Sequence, residues 1–397
     1  MNNAILPNII LASGKEQSLR RFHPWVFSGA IKKINGNPKD GDMVEVFSSQ
    51  SQYLGTGHYQ NGSIAVRIVS FTRIEPGRQF WQSKIRDAYN YRAMLGITDN
   101  ERTNVYRLVY GEGDGLPGLI IDYYNGSAVF QAHSIGMHRE REAIAGALKE
   151  IYGDKLKSVY DKSHESIAER YAGHISNGYI FGNDAEKQVR ENGNLFSIDW
   201  EEGQKTGFFI DQRENRKLVG EFAGGKKVLD CFCYAGGFSV YALKGGASEV
   251  HSVDSSRTAI ELADRNIALN FAGKANQTSR VADAFDYLKE SRGEFDIIVT
   301  DPPAFAKHRD AKHSAIMGYK RLNALAISAV KPGGLVFTFS CSQVVDRNLF
   351  NGAVTAAALE AGRNVRIMHR LSQPPDHPVS IFHPEGEYLK GLMLFVE

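Results

Sequence analysis

The stretch Val228 to Ser239, VLDCFCYAGGFS, decides the fold. Val228-Leu229-Asp230 is a short apolar run, the pattern of a strand buried on both faces. It runs into a loop, Cys231 to Gly237, and a helix is expected to follow through Phe238 and Tyr241. Downstream the pattern repeats. Glu249 to Asp254 reads as a strand, and Ser255 stands where it can cap a helix carrying Ala259, Ile260, Ala263 and Ile267. A strand near Val281 ends at Asp283, and Phe295 to Thr300 ends at Asp301-Pro302-Pro303. A helix to Val330 stops at Lys331-Pro332-Gly333-Gly334, Leu335 to Cys341 is another strand, and a helix and two strands close the chain. This alternation predicts a parallel α/β sheet.

Ligands of open α/β sheets bind at the carboxyl ends of the strands. Here those ends carry Asp230 with Gly236 and Gly237, then Asp254, Asp283, Asp301 and Cys341. Glycine lets backbone approach a ligand closely at the positive end of a helix. Asp254, 24 residues past Asp230, suits a pair of ribose hydroxyls, and Asp283 suits an adenine amino group. By itself the glycine pair reads more readily as a plain turn. The ordered acids are more specific, and the missing G-x-G-x-x-G argues against a dinucleotide enzyme. Cys341, between Ser340 and Ser342 at a strand tip, reads as a nucleophile rather than as a small buried hydrophobe. Cys231 and Cys233 read as packing residues. Three cysteines so scattered make no zinc signature, and no metal is expected.

Upstream, strands are expected over Met43 to Phe47, Tyr53 to Tyr59 and Ile64 to Phe71, and a helix over Phe80 to Leu95. Between about 105 and 185 the order is strand, the turn Gly111 to Gly118, strand, helix (His138 to Ile151) and strand. Arg20, Arg21 and His23 are candidates for RNA phosphate or base contacts, whereas Trp25, flanked by Pro24 and Val26, reads as barrel core. His377 and His383, in the last connection, read as loop anchors.

The 397 residues are enough for two to three domains at about 150 residues each. No run approaches the ~18 apolar residues of a membrane span, and no basic residue precedes the first apolar stretch, so neither membrane nor secretory leader is expected. Three cysteines fit a reducing cytosol. The net charge of +2 averages an uneven distribution. Residues 1–74 hold eight Lys and Arg against four Asp and Glu, a balance of +4, which leaves −2 for the rest. A small basic module on a near-neutral body suggests a polyanion touching mainly one end.

Asp230 to Ser239, Asp254, Asp283 and Asp301-Pro302-Pro303-Ala304-Phe305 resemble the motifs of Rossmann-like S-adenosylmethionine-dependent methyltransferases. Lys205 to Arg213 (KTGFFIDQR), His23 to Gly29 (HPWVFSG) and Gly111 to Gly118 narrow the resemblance to the bacterial 23S rRNA cytosine-C5 methyltransferase family, over nearly the whole chain. Ala235 departs from it, standing where the family usually has Thr. The resemblance implies three domains: a PUA-like RNA-binding β-barrel (1–74), an α/β middle domain (75–190) and a Rossmann-like class I methyltransferase domain (191–397). It implies S-adenosylmethionine as cofactor, large-subunit rRNA as partner, a cytoplasmic location and a homodimer.

The cofactor set so implied is Lys205, Thr206, Phe209, Asp211, Arg213, Asp230, Tyr234, Ala235, Gly236, Gly237, Phe238, Asp254, Ser255, Asp283, Ala284 and Asp301. Pro302, Pro303, Phe305, Arg20 and Arg21 are expected at the substrate. Carbon 5 of cytosine is a poor nucleophile until a thiolate adds to carbon 6. Cys341 is assigned that role, beside Asp301 as the carboxyl group for ring nitrogen 3. Two other readings fit parts of the pattern. Asp-Pro-Pro-aromatic also suits methylation of a guanine or adenine nitrogen, and an RNA-binding assembly factor without turnover would keep the fold.

Overall fold

The computed structural model describes residues 6–183, 186–273, 275–306 and 309–397. It divides into two compact units. Unit 1 comprises residues up to Arg190, Ile198–Phe208 and Pro375–Gly386; unit 2 comprises Glu191–Ser197, Phe209–Pro374 and Glu387–Glu397. The chain therefore does not cut cleanly at residue 191, because two later segments return to unit 1.

Unit 1 opens with six strands: β1 (Asn8–Leu11), β2 (Trp25–Phe27), β3 (Ile31–Asn35), β4 (Met43–Phe47), β5 (Tyr53–Tyr59) and β6 (Ile64–Ser70). They pair in the order β2-β6-β5-β4-β1-β3, antiparallel except for β1 with β4. Alternation builds the core: Val44 and Val46 are fully buried while Glu45 between them is not. In β2 the buried residue is Val26, so Trp25 lies outside the barrel core, contrary to expectation. Its apolar neighbours suggested burial, but a strand sends successive side chains to opposite faces.

A second sheet follows, of β7 (Val105–Tyr110), β8 (Leu119–Tyr124), β9 (Ser127–Ala132), β10 (Ser158–Asp161) and β11 (Gly178–Phe181), in the order β11-β10-β9-β8-β7. The helix Arg78–Met94 buries Trp81, Ile85, Ala88 and Arg92 on one face. Arg92 is fully buried because its guanidinium is spent on Asp114 and on the carbonyls of Arg107 and Asp376. The expected helix His138 to Ile151 is two helices, Ile135–Arg139 and Arg141–Tyr152, broken at Glu140. Gly113, in the glycine-rich turn, has to be glycine: a Cβ there would lie 1.8 Å from the Pro378 carbonyl oxygen.

A hairpin, β12 (Gln188–Glu191) and β13 (Asn194–Ser197), precedes the sheet of unit 2. That sheet holds β14 (Lys227–Cys231), β15 (Glu249–Asp254), β16 (Gln277–Val281), β17 (Phe295–Thr300), β18 (Val330–Ser340), β19 (Val365–Ser372) and β20 (Lys390–Val396). The order is β16-β15-β14-β17-β18-β20-β19, with the first five strands parallel and β20 antiparallel to both its neighbours. Helices on both faces explain why the strands are continuous apolar runs. Leu229, Val253 and Ile298 enter one core, and Val228, Val250, Ile297 and Val299 enter the other. The topological switch lies between β14 and β17, where such sheets open a crevice.

Candidate active site

The loop after β14 is held in an unusual shape. Phe232, Tyr234 and Gly236 have φ of 61°, 45° and 70°, all left-handed. A Cβ on Gly236 would also meet the Ala263 side chain at 2.9 Å, so both backbone and space require glycine. Asp230 fastens the loop to the helix Gly237–Lys244. Its Oδ2 accepts from the Ser239 backbone N–H (3.0 Å) and hydroxyl (2.7 Å). Burial pushes the Asp230 carboxyl up to about 7. Its other oxygen, Oδ1, is buried without a hydrogen-bond partner.

Asp254 is half-exposed and accepts from the backbone N–H groups of Tyr234 (3.1 Å) and Ser256 (2.9 Å), tying the glycine loop to the end of β15. The helix cap there is Ser256, which accepts from the Ala259 N–H; the expected cap, Ser255, is exposed and sits one residue too early. Asp283 caps the helix Ala284–Glu290, accepting from the Phe285 and Asp286 N–H groups. Ala284 is buried behind it. Ala235 is buried too, and its carbonyl accepts from the Asn266 side chain. Phe238 packs in the core, stacked on Phe339.

The segment before the sheet separates into two parts. Phe209, Asp211 and Arg213 belong to unit 2. The Phe209 ring meets Tyr234 edge-on at 5.2 Å, and Asp211 accepts from the Tyr388 hydroxyl at 2.5 Å. Arg213 is buried, 3.1 Å from Glu214. Lys205 and Thr206 belong to unit 1. Lys205 is exposed, whereas the Thr206 hydroxyl is buried and donates to Asp122 at 2.6 Å. Under the loop lies a pair that the sequence did not signal. Arg216 binds the Glu191 carboxylate through two nitrogens (3.0 and 2.8 Å), and the Tyr241 hydroxyl donates to the same carboxylate.

Asp301 follows β17 and Cys341 follows β18, two paired neighbours in the register Thr300 to Thr338. The Ser342 hydroxyl donates to the Ala306 carbonyl at 3.0 Å, holding the two strand-end loops together. Pro302 is buried and Pro303 exposed. Phe305 is half-buried against Tyr319 at 4.7 Å, so much of its ring serves packing. Of the three cysteines Cys341 is half-buried and the other two are buried; burial pushes the thiols of Cys231 and Cys233 well above their ordinary value.

Beside Cys341 is a residue that sequence reading missed. Lys390 opens β20 opposite Ser340 and is only 4% exposed. Its ammonium donates to the carbonyls of Ser342 (2.5 Å) and Tyr388 (2.7 Å). Burial brings it down to about 8, against the opposing pull of Cys341. A lysine inside the apolar run Tyr388 to Phe395 was the available signal.

In unit 1, Arg20 and Arg21 are exposed beside Phe22, which is 51% exposed and left-handed at φ 61°. Phe22 meets Phe382, itself 48% exposed, at 5.3 Å. His23, His383 and Glu385 lie close enough to suggest metal ligands, with their donor atoms within 4.8 Å of one another. His23 Nδ1, however, accepts from the Trp25 N–H, which puts the ring proton of the neutral imidazole on Nε2, facing Glu385. His383 is buried, and neither of its ring nitrogens has a hydrogen-bond partner.

Residues 106–393 match the family model of S-adenosylmethionine-dependent methyltransferases, and residues 9–71 match that of PUA-like domains. The chain is 40% identical to ribosomal RNA large subunit methyltransferase I of Aeromonas hydrophila, over 98% of both chains. It is 41% identical to the protein of that name from Aeromonas salmonicida, over 97% of this chain and 98% of the other. The chain belongs to the ribosomal RNA large subunit methyltransferase I family. Among solved structures, a Streptococcus mutans protein described as a SAM-dependent methyltransferase shares the fold, with a TM-score of 0.82 at 23% identity over 99% of this chain and all of that one. A methyltransferase solved with SAH has a TM-score of 0.83 at 24% identity, over 99% of this chain and 100% of the other.

This methyltransferase uses S-adenosylmethionine. The residues present fit it. Oδ1 of buried Asp230 has no hydrogen-bond partner and could accept from the cofactor's amino group, and the half-exposed Asp254 carboxylate could accept from its hydroxyls. Among the described residues no helix is long and apolar enough to cross a membrane.

Proposed function

We propose that this enzyme forms 5-methylcytosine in large-subunit rRNA, in the cytoplasm, with Cys341 as nucleophile. The single observation that carries the reading is Cys341: the one thiol of the three that is not buried, at a strand end beside the Asp301 strand. Relatives named for large-subunit rRNA support the substrate class. So does the surface of unit 1, where exposed Arg20 and Arg21 directly precede Phe22, whose exposed ring meets Phe382. Guanidinium groups suit phosphate and aromatic rings suit unstacked bases.

Asp230, Asp254, Asp283 and the glycine loop would hold S-adenosylmethionine, which when bound would supply an electrophilic methyl group. The Cys341 thiolate adds to carbon 6 of cytosine, and the Asp301 carboxyl group hydrogen-bonds ring nitrogen 3, where negative charge develops. Carbon 5, made enamine-like by that addition, would then accept the methyl group, with S-adenosylhomocysteine as the leaving group. A base removes the carbon-5 proton, the carbon 5–carbon 6 double bond re-forms, and the thiolate leaves.

Methyl transfer to unmodified rRNA followed by nucleoside analysis tests the reading: 5-methylcytidine is expected, and a methylated guanine or adenine would replace it with base-nitrogen chemistry. RNA carrying 5-fluorocytosine tests the mechanism. Fluorine cannot leave as a proton does, so a covalent RNA adduct on Cys341 should accumulate and resist denaturation.

A further inference from the structure

We infer that the buried ammonium of Lys390 is a positioning residue that holds Cys341 in its ionised, reactive form. The inference rests on the reading of Cys341 as nucleophile and adds a residue to that site.

Register and hydrogen bonding bring Lys390 to Cys341. Lys390 is paired across the sheet with Ser340, the residue before Cys341. Its Nζ then reaches forward to the carbonyl of Ser342, the residue after it. The ammonium thus lies against the residue after the thiol, on a lysine whose backbone pairs with the residue before it. A lysine ammonium has three N–H donors. Two go to the carbonyls of Ser342 and Tyr388, which fix where the charge sits. The third is the donor that a thiolate can use.

Burying a cation is costly unless something opposite offsets it. The charged groups acting on Lys390 are Cys341, Glu387, Arg347 and Asp346, and Cys341 is the foremost of those that favour its charge. Arg347 acts against it. Glu387 is itself bonded to Arg347 at 2.5 Å, which leaves it poorly placed to neutralise a second cation. Two carbonyls and a thiolate are therefore what make a charged lysine tolerable here. The dependence is mutual: a group that favours the ammonium is favoured by it as thiolate. The lowered ordinary value of the lysine, about 8, still leaves it mainly protonated at neutral pH. No covalent step passes through Lys390; it exchanges no proton with substrate and acts only through the sulfur.

Iodoacetamide alkylation of the full-length enzyme, without RNA, reads the thiolate directly. Cys231 and Cys233 are buried, so modification reports Cys341, with Cys341→Ala as the blank. For Lys390→Met the midpoint of the alkylation rate against pH should move up by about one unit, so that the rate at neutral pH falls roughly tenfold. Lys390→Arg keeps the charge and should restore most of the rate. Cofactor affinity, measured by calorimetry in both variants, reports whether the fold survives. An unchanged alkylation profile in a Lys390→Met protein that still binds cofactor overturns the inference. Equal loss in Lys390→Met and Lys390→Arg also overturns it, because a purely structural lysine behaves that way. If Cys341→Ala methylates RNA normally, the nucleophile reading fails instead, whatever the alkylation profile shows.

Discussion

The row of strand ends in unit 2 has two halves that treat their polar residues differently. On the β14–β15–β16 side, Asp230, Asp254 and Asp283 each accept hydrogen bonds from backbone N–H groups of the adjoining loop or helix. On the β17–β18–β20 side, Cys341 is half-exposed, and Lys390 binds carbonyls at the two ends of its own reach. The first half is architecture that also offers acceptors to a cofactor. The second half sets a half-exposed thiol next to a buried ammonium. Substitutions on the two sides should therefore fail in different ways.

The largest effect is expected on the second side. Cys341→Ala should lower methyl transfer by about a thousandfold or more, as removal of a covalent nucleophile does. Cofactor affinity should stay at the parent value, whereas the melting temperature should fall modestly, because Cys341 packs against the core around Phe339 and its loss strips the buried Lys390 ammonium of its thiolate. Single-turnover assays with calorimetry check both halves of this statement. A variant that methylates at the parental rate would return Cys341 to the ranks of packing residues.

A middle-sized effect is expected on the first side, and it depends on pH. The folded-state value of Asp230, about 7, lies above that of an unfolded aspartate, because burial disfavours its charge. The contribution to stability of such a raised carboxyl group is greatest at low pH. It declines as pH rises from about 4 towards 7, where the unfolded state ionises first. Cofactor binding should show the opposite trend, since a cationic amino group favours the ionised carboxylate. Affinity should rise with pH through 7 and be about tenfold weaker at pH 6 than on the plateau. Asp230→Asn should flatten both dependences. Calorimetry at several pH values decides, and an affinity independent of pH would remove Asp230 from the cofactor site.

How much of this was legible follows the same division. Strand ends were readable because apolar runs such as Phe295 to Thr300 stop abruptly at an acid, and burial on both faces demands such runs. Partners brought together by the fold were not. Arg216 and Glu191 stand 25 residues apart, and Lys390 reaches a carbonyl 48 residues away. No local pattern marks Arg216 as buried, and the apolar run around Lys390 hints at burial without naming its partner. Trp25 failed for a different reason: apolar neighbours flank it, yet the alternation of β2 gives the core position to Val26.

The smallest expected effect concerns the adjacent pair Ser255 and Ser256. Either hydroxyl has the chemistry of a helix cap, so composition cannot choose between them. The end of β15 does: with Asp254 as the last strand residue and its carboxylate holding the Ser256 N–H, Ser256 takes the extended conformation and faces the Ala259 N–H. Ser256→Ala should therefore cost about 1 kcal/mol of stability, the usual loss for an N-cap hydroxyl. Ser255→Ala, at an exposed residue one position earlier, should cost little. Chemical denaturation of the two variants separates them, and equal losses would mean that the cap is shared. Because the same Asp254 carboxylate fixes both the cap and the glycine loop, Ser256→Ala should also weaken cofactor binding slightly, whereas Ser255→Ala should not unless its hydroxyl touches the cofactor directly.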